Sequence, residues 1–218
     1  MHSPDTWPRL HDLISSITPA KSRKLWQRDF EKIAREDARR CAQINEAVSN
    51  LPSAAWTCLR DTVLGQIDLR DPARGWQQAI PLLYEARAHD YLVGHGYHDV
   101  EFLIAQARAK SPDLRATRDG KILLCEVKTL RVARRDSLIG NLRMKLAKRV
   151  EDAAQQLTVF SDAPNAARMI YFVLDISDDL QSTASEIREQ IELLVAEVDL
   201  GGISIVVDGN AVANYDLL

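Results

Sequence analysis

The chain has 218 residues and a formal net charge of −3, room for one domain with an extension or for two small ones. Apolar residues make up 46% and charged residues 27%, an ordinary balance for a soluble globular protein, and no run reaches the roughly 18 apolar residues of a membrane span. The opening Met1-His2-Ser3-Pro4-Asp5 lacks the basic and apolar regions of a signal peptide, and Cys41, Cys58 and Cys125 are odd in number and widely spaced, so no disulfide or zinc framework and a reduced, cytoplasmic setting are expected.

Residues 1–20, with Pro4, Pro8 and Pro19, read as irregular. Lys21 to Asn50 reads as one long helix: Trp26, Phe30, Ile33, Asp37, Cys41, Ile44 and Val48 fall at steps of three or four, opposite a face dense in charge. Packing on its own domain suits that stripe; the alternatives are a homodimer contact or a substrate clamp. Pro52 to Gln66 is a second helix with Trp56, Leu59, Val63 and Ile67 on one stripe. Asp68 to Gly75 is a linker-like turn. Trp76 to Gly94 is a third helix, with Pro81 marking a start near that position and Gly94 and Gly96 ending it. His89, His95 and His98 have no recognised zinc spacing and are read as non-ligands. His98 to Ile104 is the first strand, and Ala105 to Lys110 a connection.

Ser111 to Thr129 organises the rest. Leu114 to Arg118 is a short strand, and Asp119-Gly120 is the dipeptide that a two-residue primed turn favours, because both central residues need φ > 0. Lys121 to Thr129 begins with an apolar run, as expected of a central strand buried on both faces. A two-residue turn sets the register: Arg118 faces Lys121, and each step outward keeps the sum of residue numbers, so Asp113 faces Glu126. Directly opposed Cβ atoms lie about 4.5–5.5 Å apart, and two carboxylates there repel unless something positive sits between them. Lys128 shares their face and Cys125 and Val127 point away. One hairpin end thus offers Asp, Glu and Lys, a site for a hard divalent cation with an amine beside it.

Leu130 to Asp136 reads as a basic loop with Arg131, Arg134 and Arg135. Ser137 to Phe160 is a helix with Leu142, Leu146, Val150, Ala153, Leu157 and Phe160 as its core stripe and Arg143, Lys145, Lys148 and Arg149 in its first half. Arg168 to Ile176 is a buried strand. Ser182 to Asp199 is an acidic helix with Ser182 as N-cap, and Ile203 to Val207 and Ala211 to Tyr215 form a closing hairpin. Charge is unevenly spread. Residues 108–149 hold 13 basic against 4 acidic residues, a net of +9, and residues 150–218 hold 2 against 13, a net of −11. A basic field around the candidate site suits a polyphosphate partner.

Pro112-Asp113, twelve intervening residues, then Glu126-Val127-Lys128 resembles the signature of the PD-(D/E)xK nuclease superfamily. The resemblance implies a restriction endonuclease-like α/β core over Trp76 to Ile176 (helix, three strands, helix, strand; a mixed sheet flanked by helices). The division is then a helical extension over 1–75 and a nuclease-like domain over 76–218. It implies Mg²⁺, or Mn²⁺ in its place, held by Asp113 and Glu126, with Glu85 as an extra acidic ligand from the preceding helix. Lys128 would orient or help deprotonate water, or stabilise developing charge. Gln156 resembles the glutamine that some branches carry near the active site, with Gln155 as competitor and Phe160 where those branches have tyrosine. Arg131, Arg134, Arg135, Arg143, Lys148 and Arg149 would hold the phosphate backbone. The implied activity is metal-dependent phosphodiester hydrolysis of nucleic acid, DNA in preference to RNA, leaving a 5′-phosphate and a 3′-hydroxyl. The alternatives are a non-catalytic nucleic-acid- or protein-binding member of that fold, or a toxin-like interaction module.

Overall fold

The strands read from the sequence pattern meet in one sheet in the computed structural model of the chain. They are β1 (His98–Phe102), β2 (Leu114–Arg118), β3 (Lys121–Val132), β4 (Ala167–Ile176), β5 (Ile203–Val207) and the two-residue β6 (Asn210–Ala211), six strands in that spatial order. The structure describes residues 7–36, 38–103, 111–133, 139–160, 165–198, 200–208 and 210–211. β1, β2 and β3 pair antiparallel; β3–β4 and β4–β5 are parallel; β6 returns antiparallel on β5. Parallel neighbours need a crossover. α7 (Ile139–Val159) supplies it between β3 and β4, and α8 (Ala184–Ala196) between β4 and β5. The chain is therefore α/β, a mixed sheet flanked by helices.

Alternation decides what each face of the sheet meets. Leu124, Leu130 and Val132 of β3 share one buried cluster with Ile170, Phe172 and Leu174 of β4 and with Leu146, Val150 and Leu157 of α7. Even-numbered β3 residues thus face α7 and α8, and Glu126 and Lys128 belong to that face. The expected loop from Leu130 is instead strand. β3 continues to Val132, with Leu130 opposite Leu174 and Arg131 opposite Asp175 on β4, because a long parallel partner satisfies its backbone groups. The acidic helix also starts later than read. Ser182 lies in a 3₁₀ turn (Asp178–Thr183), and Thr183 is the residue before α8, its hydroxyl bonded to the Leu180 carbonyl at 3.1 Å. At the closing hairpin Asn210 pairs with Val207, so it is strand and not turn; the remainder of that strand lies outside the described residues.

Two compact units divide the chain, Met1–Asp90 and Tyr91–Leu218, later than the expected division at residue 75. The first unit holds α1 (Pro8–Ser15), α2 (Ala20–Glu36), α3 (Ala38–Ser49), α4 (Ser53–Gln66), α5 (Pro72–Leu83) and the start of α6 (Glu85–Gly94). α1 corrects the irregular reading: Pro8 sits in the first turn, where its missing N–H is harmless, and Leu10, Leu13 and Ile14 are buried. The single long helix is given as α2 and α3, with residue 37 outside the described residues.

The third helix is divided and begins earlier than Pro81. Asp71 caps α5 by accepting from the Arg74 backbone N–H at 3.2 Å, and Pro72 takes the first position. Pro81 lies inside α5, and the helix ends two residues on, before α6 starts afresh at Glu85. Aromatic packing ties α5 to α2, with ring centroids 4.9 Å apart for Trp26 and Trp76 and 5.6 Å for Phe30 and Trp76. Gly75 makes that approach fit. A Cβ there would strike the Trp26 ring and lie 2.8 Å from the Asp68 carbonyl oxygen. No described helix is long and apolar enough to cross a membrane.

Candidate active site

The site starts from two residues with left-handed backbones. Asp119 has φ 52° and Gly120 φ 74°, so the β2–β3 turn is tight and the register holds from Arg118↔Lys121 to Leu114↔Cys125. The pairing ends there: Asp113 lies one residue before β2, and its N–H meets the residue that Leu114 faces, so the expected Asp113–Glu126 pair does not extend the ladder. The Asp113 backbone is held on both sides: the Asp113 N–H donates to the Cys125 carbonyl at 3.1 Å, and its carbonyl accepts from the Leu103 N–H at 2.8 Å. Its carboxylate turns inward and accepts from the Val127 backbone N–H at 2.7 Å. Two backbone hydrogen bonds and one side-chain bond therefore fix this residue together.

Glu126 is 1% exposed, Lys128 17%. The Lys128 ammonium donates to Glu126 Oε1, an ion pair joining neighbours two apart on one strand face. Glu126 Oε2 is buried and has no hydrogen-bond partner among the described residues. Burial pushes the Glu126 carboxyl up to about 8, with the neighbouring Asp113 charge adding and Lys128 opposing. Asp113 is also raised, chiefly by burial, against the pull of the Val127 N–H and of Lys128. The two carboxyls lie close enough to share a proton and titrate as a pair.

A buried carboxyl oxygen without a partner needs a proton or a cation. Two carboxyls converging there fit a hard divalent ion. Mg²⁺ is commonly held by only one or two protein carboxylates and keeps waters and substrate oxygens as its other ligands. Among the described residues no group of three or more His, Cys, Asp or Glu side chains is gathered as a metal site. Glu85 opens α6 in the first unit, where it is buried.

The other expected residues separate into distinct positions. Gln156 on α7 donates from Nε2 to the Ser111 carbonyl at 2.6 Å, next to Pro112-Asp113, whereas Gln155 is exposed; the choice between them falls to Gln156. Arg131 is an exposed strand residue, and alternation sends it to the sheet face opposite Lys128, which corrects its place in a loop beside the site. Arg143 pairs with Glu197 at 2.8 Å, and Lys148 and Arg149 are exposed on α7. Arg134 and Arg135 lie outside the described residues. The sequence reading missed the Val127 N–H, the Ser111 carbonyl and the Lys145 bond to the Arg131 carbonyl at 3.2 Å. Two of these are backbone groups, which carry no sequence signal. No protein-family model matches the chain, and neither a curated protein nor a solved structure matches it.

Proposed function

We propose that the protein is a divalent-metal-dependent nuclease of the restriction endonuclease-like kind. One observation carries the reading: the buried Asp113–Glu126 pair, with Glu126 Oε2 unpartnered and Lys128 against Oε1. The run of elements supports it, since a helix, three antiparallel strands, a crossover helix and a parallel strand follow one another along the chain in that order. Gln156 supports it too, by tying that crossover helix to the residue before Pro112.

Asp113 and Glu126 hold the cation, Mg²⁺ or Mn²⁺. When bound, such an ion polarises a phosphodiester and lowers the pKa of water. The protein's own part is to bring the two carboxyls together and fix them. Val127 donates to Asp113 and orients it. Lys128 offsets the charge on Glu126, and its ammonium, still partly exposed, would position attacking water or meet developing negative charge. A lysine is suited to that, being a compact cation with rotatable donors. Lys148 and Arg149 hold phosphates without reading bases.

The test is cleavage of a panel of single- and double-stranded DNA and RNA with Mg²⁺, Mn²⁺ or EDTA. Metal-dependent cleavage leaving 5′-phosphate ends, lost in Asp113→Ala and Glu126→Gln, is expected. Binding to nucleic acid with no cleavage under any metal would leave a non-catalytic member of this fold and sink the enzyme.

A further inference from the structure

A second charged surface lies on α2, in the first unit. Lys21, Lys24, Arg28, Lys32 and Arg35 recur at steps of three and four, and all five are exposed. At 3.6 residues per turn these positions make one narrow stripe. Trp26, Phe30 and Ala34, the buried residues, occupy the opposite side of the same helix. From Lys21 to Arg35 the stripe is about 21 Å long, a distance over which duplex DNA presents about 12 phosphates.

The stripe sets like charges one turn apart. Lys24–Arg28 and Arg28–Lys32 are like charges at i,i+4, and Lys21–Lys24 and Lys32–Arg35 at i,i+3, arrangements that weaken an isolated helix. Lys21 and Lys24 have no acidic residue three or four positions away. Glu31 borders the stripe beside Arg28 and Arg35, and Asp29 and Glu36 lie three positions before and four after Lys32. Among the described residues no ion pair involves Lys21, Lys24, Arg28, Lys32 or Arg35; Arg35 bonds only the Glu31 backbone carbonyl, at 3.1 Å. Cations left in repulsive register become favourable when a polyanion neutralises them. An anionic membrane suits the stripe poorly, because the helix's large apolar residues face inward and leave nothing to insert.

We infer that α2 is a second nucleic-acid contact, gripping the phosphate backbone of a duplex through Lys21, Lys24, Arg28, Lys32 and Arg35 independently of the hairpin site. The choice of nucleic acid as the polyanion rests on the nuclease reading; the charge pattern does not.

The experiment compares the full chain with Lys24→Gln/Arg28→Gln/Lys32→Gln, using a labelled random-sequence DNA duplex in EDTA and fluorescence anisotropy across a salt series. Glutamine keeps helix propensity, and the variant should melt at the same or a higher temperature. Removing three phosphate contacts should flatten the slope of log K against log salt by about 2.7 and weaken binding by roughly 10²-fold at about 0.1 M salt. Equal affinity and slope in the two proteins would overturn the inference. So would wild-type binding to phosphatidylserine vesicles with none to the duplex. A variant that only loses self-association in sedimentation, with duplex binding intact, would overturn it as well. Binding is read without metal, so its outcome is separate from catalysis. Cleavage of a short oligonucleotide in Mg²⁺ by both proteins, with equal duplex binding, removes only the α2 contact. A binding defect without cleavage by the wild type removes only the nuclease.

Discussion

Replacing Glu126 by glutamine should make the metal-free protein more stable at alkaline pH, although it removes a group on which the proposed function rests. The carboxyl is raised from 4.5 to about 8 by burial and by Asp113. Between those values the folded state keeps a proton that the unfolded chain has lost, so stability falls as pH rises through this window. Stability is whole below about pH 4.5 as far as this group is concerned, and the loss is complete above about pH 8. At about 1.4 kcal/mol per pH unit the loss is on the order of 5 kcal/mol, comparable to the entire stability of many domains. Glutamine keeps the shape and an acceptor for Lys128 while removing the titration. Calorimetry from pH 6 to 9 should show the wild-type melting temperature falling by roughly 5–10 °C, at 2–4 °C for each kcal/mol, with a much flatter profile for Glu126→Gln. Mg²⁺ should restore the wild type at pH 9 by binding the folded state, and leave the variant unchanged. Parallel profiles for the two proteins would mean that Glu126 ionises like a surface carboxylate, and the argument from burial would fail.

Asp113→Ala should abolish the rise in melting temperature that Mg²⁺ gives the wild type, measured by thermal shift at pH 8. Lys128→Ala should bind Mg²⁺ and nucleic acid but cleave about 10²–10³-fold more slowly in single-turnover assays. It should also move the Glu126 carbon titration above 8, because Lys128 is what opposes that rise. Gln156→Ala releases the Ser111 carbonyl; about 1 kcal/mol of stability should go with it, and kcat should fall with little change in KM, as expected when the Pro112-Asp113 strand loses its tether. Gly75→Ala puts a methyl into the Trp26 ring, and a loss of about 1–3 kcal/mol in chemical denaturation is expected, with nuclease chemistry unaffected in the protein that remains folded.

The hairpin was legible from sequence because everything that sets it is local. Asp119-Gly120 can adopt the left-handed conformations of the turn, the turn fixes the register as far as Leu114 opposite Cys125, and alternation puts Lys128 on the face of Glu126; Asp113 lies just outside that pairing, with its N–H on the Cys125 carbonyl. The apolar run from Ile122 likewise announced a central strand. Pro81 suits a helix start and Asp68 to Gly75 reads as a turn, but the helix begins at Pro72, where it carries Trp76 into contact with Trp26 and Phe30. Three apolar residues in α1 were too few to show a period, and packing made them a helix. Arg131 became strand because β4 offered partners as far as Ile176. The site itself was half visible. Its residue types were on the page, but the 45-residue reach from Gln156 to Ser111 and the enclosure of Glu126 belong to the tertiary structure alone. Burial is a property of everything that packs around a group, and that enclosure, with the Asp113 charge beside it, turns an ordinary glutamate into one that holds its proton to about pH 8.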